Sequence, residues 1–186
     1  MREFGPWKIR STQRVYQDDY VTLTRDDVVR PDGKDGTHVK VFMKPGVSVL
    51  PCDSEQNVYL TREFHYAVGR DSLEVVSGGI ERGEDPLLAA RRELEEELGI
   101  QASDFDDLGV VDPFTTIVES PTRIYLATGL SFVEACPEGT ERIECVKLSL
   151  RDALEKVMVG EISHGPSCIA ILKSALKRDL VKSELS

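Results

Sequence analysis

The sequence predicts an α/β fold in which a mixed sheet is flanked by helices and preceded by a small antiparallel β extension. Short apolar runs separated by turn residues recur along most of the chain, which is typical of strands. A central segment has helix signals at both ends, and two later segments have helical periodicity. A chain of 186 residues with 40% hydrophobic content can bury one proper core and a small appendage.

The first segment predicts an antiparallel hairpin. Residues 20–29 and 38–43 read as strands, and they flank Pro31-Asp32-Gly33, which is a turn sequence. We expect residues 1–44 to form a β extension that mediates dimerisation and residues 45–186 to form the main domain.

The remaining elements follow in order along the main domain. We expect strands over 47–50, 58–62 and 73–76, a helix over 86–98, strands over 105–111, 123–128 and 144–148, and helices over 150–159 and 168–180. Gly160 ends the first of the two late helices.

The central helix has strong end signals. Asp85 is a typical N-cap, Pro86 occupies the first helical position, and Gly99 stands where a left-handed residue closes a helix. At 3.6 residues per turn one side is apolar and faces a core. That side carries Leu87, Ala90, Leu94 and Leu98.

Three glutamates share another face of this helix. Glu93 and Glu97 are four residues apart, and Glu96 is three from Glu93. Like charges at this spacing repel, and a divalent cation would relieve the repulsion. Clustered carboxylates suit Mg²⁺, which takes few protein ligands and completes its shell with water and phosphates. The alternative is a solvated acidic face.

The surrounding spacing favours the metal site. Gly78 is followed after five residues by Glu84 and after seven more by Arg92. The fixed residues continue with Glu93, Leu94, Glu96, Glu97, Gly99 and Ile100. A chance match at the seven most specific positions has odds of roughly one in 10⁸ to 10⁹. This pattern resembles the Nudix box, and the resemblance implies the α/β/α sandwich of the Nudix family.

The resemblance also implies roles for the box residues. Glu93 and Glu97 correspond to principal metal ligands, and Glu96 to a further ligand or base. The remaining assignments are a metal-binding backbone carbonyl at Ser77, an orienting pair of Glu84 and Arg92, and substrate contacts at Gly78 and Gly79. The implied cofactor is Mg²⁺, with Mn²⁺ as an alternative, and the implied reaction is attack of water on a diphosphate.

Residues 61–84, TREFHYAVGRDSLEVVSGGIERGE, narrow the resemblance to the ADP-ribose pyrophosphatase group. The matching positions are Arg62, Gly69 and Glu74, whereas His65 stands where the group often has a second arginine. The resemblance implies hydrolysis of a nucleoside diphosphate sugar, with ADP-ribose giving AMP and ribose 5-phosphate. Arg62 and Glu74 are the expected substrate contacts, since a guanidinium matches phosphate geometry.

The general base is open between the box helix and a late loop. Glu97 or Glu96 could serve, but in the group the base often comes from a late loop, and residues 160–166 fit one between two helices. In that loop Glu161 is the first candidate and His164 the second. The alternative is a surface loop with an incidental acid.

Two further substrate contacts are expected outside the box. Glu119 matches a position that is often acidic in relatives. Trp7 is a candidate for stacking on a base of the substrate, and the alternative is that it packs within the hairpin.

Composition limits the partners. The net charge of −10 and the pI near 4.9 disfavour a nucleic-acid partner. The N-terminal residues MREFGPWKIR have no apolar signal region and no run is long enough to span a membrane, so we expect a cytoplasmic protein. Its wide cysteine spacing favours reduced thiols, at Cys52, Cys136, Cys145 and Cys168.

Two other functions use the same residues. A GDP-mannose, other sugar-nucleotide or dinucleoside polyphosphate hydrolase would share the box and differ in peripheral loops. A non-catalytic sensing module would share the fold, since a fold alone does not fix function.

Overall fold

The computed structural model describes residues 1–135 and 142–178. Twelve strands and three helices lie within them. In chain order they are β1 (Arg2–Phe4), β2 (Trp7–Gln17), β3 (Val21–Val29), β4 (Asp35–Met43), β5 (Gly46–Pro51), β6 (Asn57–His65), β7 (Arg70–Glu74), β8 (Val76–Gly79), α1 (Pro86–Leu98), β9 (Ile100–Val111), β10 (Val118–Glu119), β11 (Thr122–Phe132), β12 (Glu144–Ser149), α2 (Leu150–Met158) and α3 (Gly165–Lys177).

The chain forms two compact units. The first contains Met1–Pro45 and Asp112–Pro121. Its five-stranded sheet has the order β1-β2-β3-β4-β10, antiparallel except for the parallel pair β4 and β10. The predicted hairpin is confirmed as β3 and β4. The sequence analysis missed β1 and β2, because β2 is polar at most positions and lacks a clear apolar alternation.

The second unit begins at Gly46 and contains the rest of the described chain. It has two sheets, of order β8-β5-β11-β9 and β12-β6-β7. One apolar cluster packs α1 against strands, including Val49, Val76 and Leu94. The other packs α2 and α3 against the opposite side, including Leu60 and Ile171. Helices on both sides of mixed strands confirm the predicted fold class.

Helix α1 has the predicted bounds because its end signals act locally. Asp85 Oδ1 accepts a hydrogen bond from Leu87 N at 2.8 Å. Gly99 closes the helix with φ of 60°, and its backbone N–H donates to Glu95 O. A Cβ on Gly99 would lie 2.3 Å from Val133 O, so both the conformation and the packing require glycine here.

Some boundaries differ from the prediction. The strand expected over 73–76 is interrupted at Val75, which separates β7 from β8. The Val75 N–H donates instead to Ser167 Oγ at 3.0 Å, so the buried donor is satisfied. Helix α3 begins at Gly165, three residues earlier than expected, with Pro166 in its first turn.

The described cysteines are free thiols. Cys52 is buried, Cys168 is half-buried and Cys145 is exposed. Burial raises the pKa of the Cys52 and Cys168 thiols. Cys136 lies outside the described residues. No helix in the described ranges is long and apolar enough to cross a membrane.

The turn between β5 and β6 is held by Asp53. Its Oδ1 accepts from the backbone N–H of Glu55 at 2.9 Å and of Asn57 at 2.8 Å, and its Oδ2 accepts from Tyr59 at 3.2 Å. Burial would raise the pKa of this carboxyl. The hydrogen bonds from Asn57, Lys147 and Tyr59 outweigh that effect and lower the pKa to about 2.

Replacing Asp53 by alanine should destabilise the protein in a pH-dependent way. Because the folded-state pKa is depressed from 3.8 to about 2, the carboxylate stabilises the fold above pH 3.8, and this contribution is lost as the pH falls through 2. We expect Asp53→Ala to lower the free energy of unfolding by about 2 kcal/mol at neutral pH. Urea unfolding at several pH values measures it, with the exposed Asp19→Ala as control. An equal loss at pH 2 and pH 7 would contradict the assignment.

Candidate active site

The backbone at Gly78 lies directly against the Glu93 carboxylate. A Cβ on Gly78 would lie 2.0 Å from Glu93 Cδ and 2.1 Å from Oε1, closer than any side chain tolerates. The Glu93 side chain is only 14% exposed. Glycine at this position therefore allows α1 to place a carboxylate against the end of β8.

Arg92 binds the acidic residues of the box together. Its Nε donates to Glu84 Oε1 at 3.0 Å, and its Nη2 donates to Glu84 Oε2 at 3.1 Å and to Gly79 O at 3.0 Å. Its Nη1 donates to Glu93 Oε1 at 2.7 Å and to Glu96 Oε2 at 3.1 Å. One guanidinium thus fixes the turn before α1 and two carboxylates on it, and the expected pairing of Glu84 with Arg92 is present.

Glu84 closes the loop between β8 and α1. Its Oε2 also accepts from Glu81 N at 2.8 Å. The hydrogen bond from Arg92 and the one from the Glu81 backbone hold the pKa of the Glu84 carboxyl below its ordinary value. The hydrogen bond to Glu84, with further contributions from Glu93 and Glu96, raises the pKa of Arg92 above its ordinary value. Both groups are therefore charged at neutral pH.

The carboxylates fit a divalent cation by their chemistry. Glu96 and Glu97 are half-buried beside Glu93 on α1. Among the described residues, no three acidic, histidine or cysteine side chains converge as a ready metal centre, and Arg92 Nη1 binds both Glu93 and Glu96. Carboxylate oxygens are nevertheless the ligands that Mg²⁺ and Mn²⁺ prefer, and the bare backbone of Gly78 accommodates one of them.

Ser77 is fixed by a buried hydroxyl pair that the sequence analysis did not identify. Its Oγ donates to Val75 O at 3.0 Å and lies 2.8 Å from Ser48 Oγ, which is fully buried. The two serines are partners in the β5 and β8 ladder. This pair ties the strand that ends at Gly78 to the central sheet. No local sequence signal joins Ser48 to Ser77.

Arg62 lies on β6 in a surface pocket of about 400 Å³. It forms an ion pair with Glu144 at 3.2 Å, and Phe64 beside it is 57% exposed. The pocket is lined by Arg62, Glu63, Phe64, Asp71, Arg142 and Glu144. Arg142 was not identified from the sequence. The predicted phosphate contact of Arg62 stays a prediction, and it requires an anion to compete with Glu144.

Glu74 is engaged by two histidines. Its Oε1 lies 3.3 Å from His65 Nε2, and its Oε2 lies 2.9 Å from His164 Nδ1. Burial alone would raise the pKa of this carboxyl, but the hydrogen bond and charge of His164, with further contributions from Ser72 and His65, hold the pKa below its ordinary value. Glu74 therefore holds other side chains in place, and its predicted contact with substrate stays a prediction.

The other candidates have contacts of their own within their units. Glu161 pairs with Lys156, and its side chain is 61% exposed. In the first unit, Trp7 is half-buried, and its ring lies nearly perpendicular to the His38 ring with the two ring centroids 5.6 Å apart. Glu119 of β10 is the strand partner of Phe42 in β4. The packing of Trp7 is the alternative that the sequence analysis left open. The roles of these three residues stay predictions.

Replacing Arg92 by methionine should destabilise the second unit strongly, because three carboxylates would lose their common partner. We expect the free energy of unfolding to fall by about 3 kcal/mol at neutral pH. Because folding lowers the pKa of the Glu84 carboxyl from its ordinary value of 4.5, the stabilisation by Arg92 is fully present above pH 4.5. It is lost as the pH falls through the lowered pKa. Urea unfolding of Arg92→Met, with the exposed Arg82→Met as control, measures the difference. Equal stabilities at neutral pH would contradict this account of the network.

Comparisons with known proteins agree with this geometry. The NUDIX domain family matches residues 43–153, and the nucleoside diphosphate sugar hydrolase N-terminal domain matches residues 7–38. A solved structure of an ADP compounds hydrolase is similar, with a TM-score of 0.80 over 99% of this chain and 98% of its own, and it is 20% identical in sequence. At that identity the likeness concerns the fold.

Relatives of similar length support the same assignment. A methanol dehydrogenase activator from Bacillus methanolicus is 27% identical, over 91% of this chain and 95% of its own. An ADP-ribose pyrophosphatase from Bacillus subtilis is 28% identical over 93% of this chain and 95% of its own. An ADP-ribose pyrophosphatase from Mycobacterium tuberculosis is 28% identical over 87% of this chain and 80% of its own. With the NUDIX domain matched over more than half of its length and every acidic box residue in place, this chain belongs to the Nudix family and is a hydrolase similar to the ADP-ribose pyrophosphatases.

Proposed function

We propose that this protein hydrolyses the diphosphate bond of a nucleoside diphosphate sugar, with ADP-ribose as substrate and AMP and ribose 5-phosphate as products. The observation that carries the proposal is the combination of an intact box network with a nucleoside diphosphate sugar hydrolase N-terminal domain in one chain. The names of several relatives support ADP-ribose over GDP-mannose and the dinucleoside polyphosphates.

The cofactor in this proposal is Mg²⁺, with Mn²⁺ as the alternative. The residues that would hold it are Glu93, Glu96 and Glu97, with the backbone carbonyl of Ser77. Bound there, the ion would supply charge neutralisation at the phosphates and a lower pKa for the attacking water. The protein's part is to hold the carboxylates, and the structure supports that part through Arg92 and Gly78.

The remaining step is removal of a proton from the attacking water. Glu96 Oε2 already accepts from Arg92, and Glu161 is paired with Lys156. His164 directs its Nδ1 at Glu74. Glu161 of the late loop is our first choice of base and His164 the second, with Glu97 or Glu96 of α1 as the alternative. Arg62 is our choice of phosphate contact, because its exposed guanidinium provides two parallel donors.

The substrate is tested by direct product analysis. We expect AMP and ribose 5-phosphate from ADP-ribose in the presence of Mg²⁺, measured by chromatography beside GDP-mannose, ADP-glucose, UDP-glucose and diadenosine polyphosphates. A higher kcat/KM for another member of this panel would overturn the ADP-ribose proposal, and no turnover of any member would overturn the diphosphatase proposal.

Two glycines provide a matched control for the site. Gly78→Ala places a methyl group where the Glu93 carboxylate lies, so kcat/KM should fall by roughly a hundredfold. Gly46→Ala, on the neighbouring strand, meets its nearest atoms at 3.4 Å and should keep its activity. Equal activity of the two variants would show that the contact between Gly78 and Glu93 does not matter for turnover.

We also propose that the first unit mediates a homodimer. A row of side chains crosses its sheet through direct strand partners, namely Tyr16, Leu23, Val41 and Val118. On the same face of β4, Val39 is 39% exposed and Met43 is 46% exposed. A sheet face with this much exposed apolar area is typical of an association surface.

Charge on this face should disrupt the dimer. We expect a dimeric mass for the wild-type protein by light scattering after gel filtration, and a monomeric mass for Val39→Glu, since a carboxylate in an apolar interface loses its hydration. Val110→Glu replaces a valine of the second unit that is 49% exposed, and this variant should stay dimeric. A monomeric wild-type protein would rule out the dimer.

A further inference from the structure

The chain passes from one sheet of the second unit to the other at Val75. Strand β7 ends at Glu74, opposite Thr61 of β6, and β8 begins at Val76, opposite Val49 of β5. Val75 lies between the two ladders and is only 1% exposed. Its peptide groups are out of reach of water, so they need hydrogen-bond partners from other parts of the chain.

Serine and threonine hydroxyls supply these partners. The Glu74 carbonyl accepts from Thr61 Oγ1 at 3.3 Å, and the Val75 N–H donates to Ser167 Oγ at 3.0 Å. The Val75 carbonyl accepts from Ser77 Oγ at 3.0 Å. Side chains therefore hold both peptide units that join β7 to β8. Ser167 differs from the other two because it comes from α3, 92 residues further along the chain.

Ser167 is fixed in the first turn of α3. It is fully buried, and its Oγ lies 2.8 Å from His164 Nδ1. The same His164 nitrogen lies 2.9 Å from Glu74 Oε2. The start of α3 thus holds the Glu74 side chain through His164 and the Val75 backbone through Ser167, and both contacts act where β8 begins.

The position of β8 matters for the box. Among the described strands β8 is an edge strand of four residues with β5 as its neighbour, so it has few ladder hydrogen bonds and depends on additional ones at its start. Two residues after Val75 comes Ser77, whose carbonyl is our proposed metal donor. Gly78 follows, where a Cβ would lie 2.1 Å from Glu93 Oε1. A rotation of the backbone at Val75 would move both residues relative to α1.

We propose that Ser167 is a positioning residue for the divalent cation: by holding the Val75 N–H, it directs β8 so that the Ser77 carbonyl and the Glu93 carboxylate bind the same ion. The proposal rests on the metal site of the proposed function and adds a residue of α3, far outside the box. Ser167 does not touch the ion. Groups that orient metal ligands in this way contribute strongly to metal affinity, because the ligand oxygens must be held at fixed separations.

Two buried serines of α3 provide the test and its control. Ser167→Ala removes the acceptor of the Val75 N–H. Ser174→Ala removes an equally buried hydroxyl of the same helix that has no hydrogen-bond partner within the described residues. Mn²⁺ is titrated into the whole protein without substrate, and the EPR signal of the free aqueous ion measures the unbound fraction.

We expect the Kd for Mn²⁺ to rise about tenfold in Ser167→Ala and to keep its wild-type value in Ser174→Ala. An unchanged Kd in Ser167→Ala, or an equal rise in the two variants, would overturn the proposal. Absence of Mn²⁺ binding by the wild-type protein would overturn the metal site and the positioning role together.

A second variant serves if Ser167→Ala does not fold. Ser77→Ala removes the hydroxyl that holds the Val75 carbonyl and leaves the Ser77 backbone carbonyl in place. The Kd for Mn²⁺ should rise in this variant as well. A wild-type Kd would show that the backbone at Val75 has no influence on the ion, and the proposal would be wrong.

The Mg²⁺ requirement separates positioning from a loss of stability. In Ser167→Ala the Mg²⁺ concentration for half-maximal hydrolysis of ADP-ribose should rise about tenfold, with little change in the KM for ADP-ribose at saturating Mg²⁺. A loss of folded protein would instead lower kcat at every Mg²⁺ concentration and leave the Mg²⁺ requirement unchanged. That result, in an enzyme that cleaves ADP-ribose, would overturn the positioning role and leave the proposed function intact. A raised Kd for Mn²⁺ in Ser167→Ala, in a protein without hydrolase activity, would retain the positioning role and remove the function.

Discussion

The guanidinium of Arg92 is the interaction on which the site depends. Three glutamates in under two turns of α1 repel one another, and Arg92 offsets that repulsion while it also fixes Glu84 and the carbonyl of Gly79. Five donors in a rigid plane are needed for these contacts, and a lysine ammonium has only three donors on a flexible stem. The sequence spacing of the box therefore places Glu84, Glu93, Glu96 and the Gly79 carbonyl within hydrogen-bond distance of one guanidinium.

Residues whose signals are local were predictable from the sequence. Asp85, Pro86 and Gly99 determine the ends of α1 by hydrogen bonds and backbone conformation within a few residues, so the predicted bounds match the observed ones. The same holds for the spacing of Glu84 and Arg92. Strand β2 was not predictable in this way, because its polar residues are held by pairing with β3 and do not alternate in hydropathy.

Contacts between distant segments could not be read from the sequence. His164 was singled out as a loop residue, but nothing local indicates that its partner is Glu74 or that Glu74 also binds His65. The Ser48 and Ser77 pair depends on the register of β5 and β8, and a shift of one residue would remove it. Both groups depend on which segments the fold makes neighbours, and a local reading of the sequence does not contain that information.

The short strand β10 has a consequence for how the chain is made. It pairs with the outer edge of β4 through Val118 and Glu119, yet it follows β9 in sequence. A growing polypeptide therefore presents β4 with an open edge until about half of the second unit has been synthesised. Open strand edges template aggregation, and their late closure slows folding. A fragment ending at residue 45 would keep that edge permanently, so the first unit is not a module that can be cut out of this chain intact.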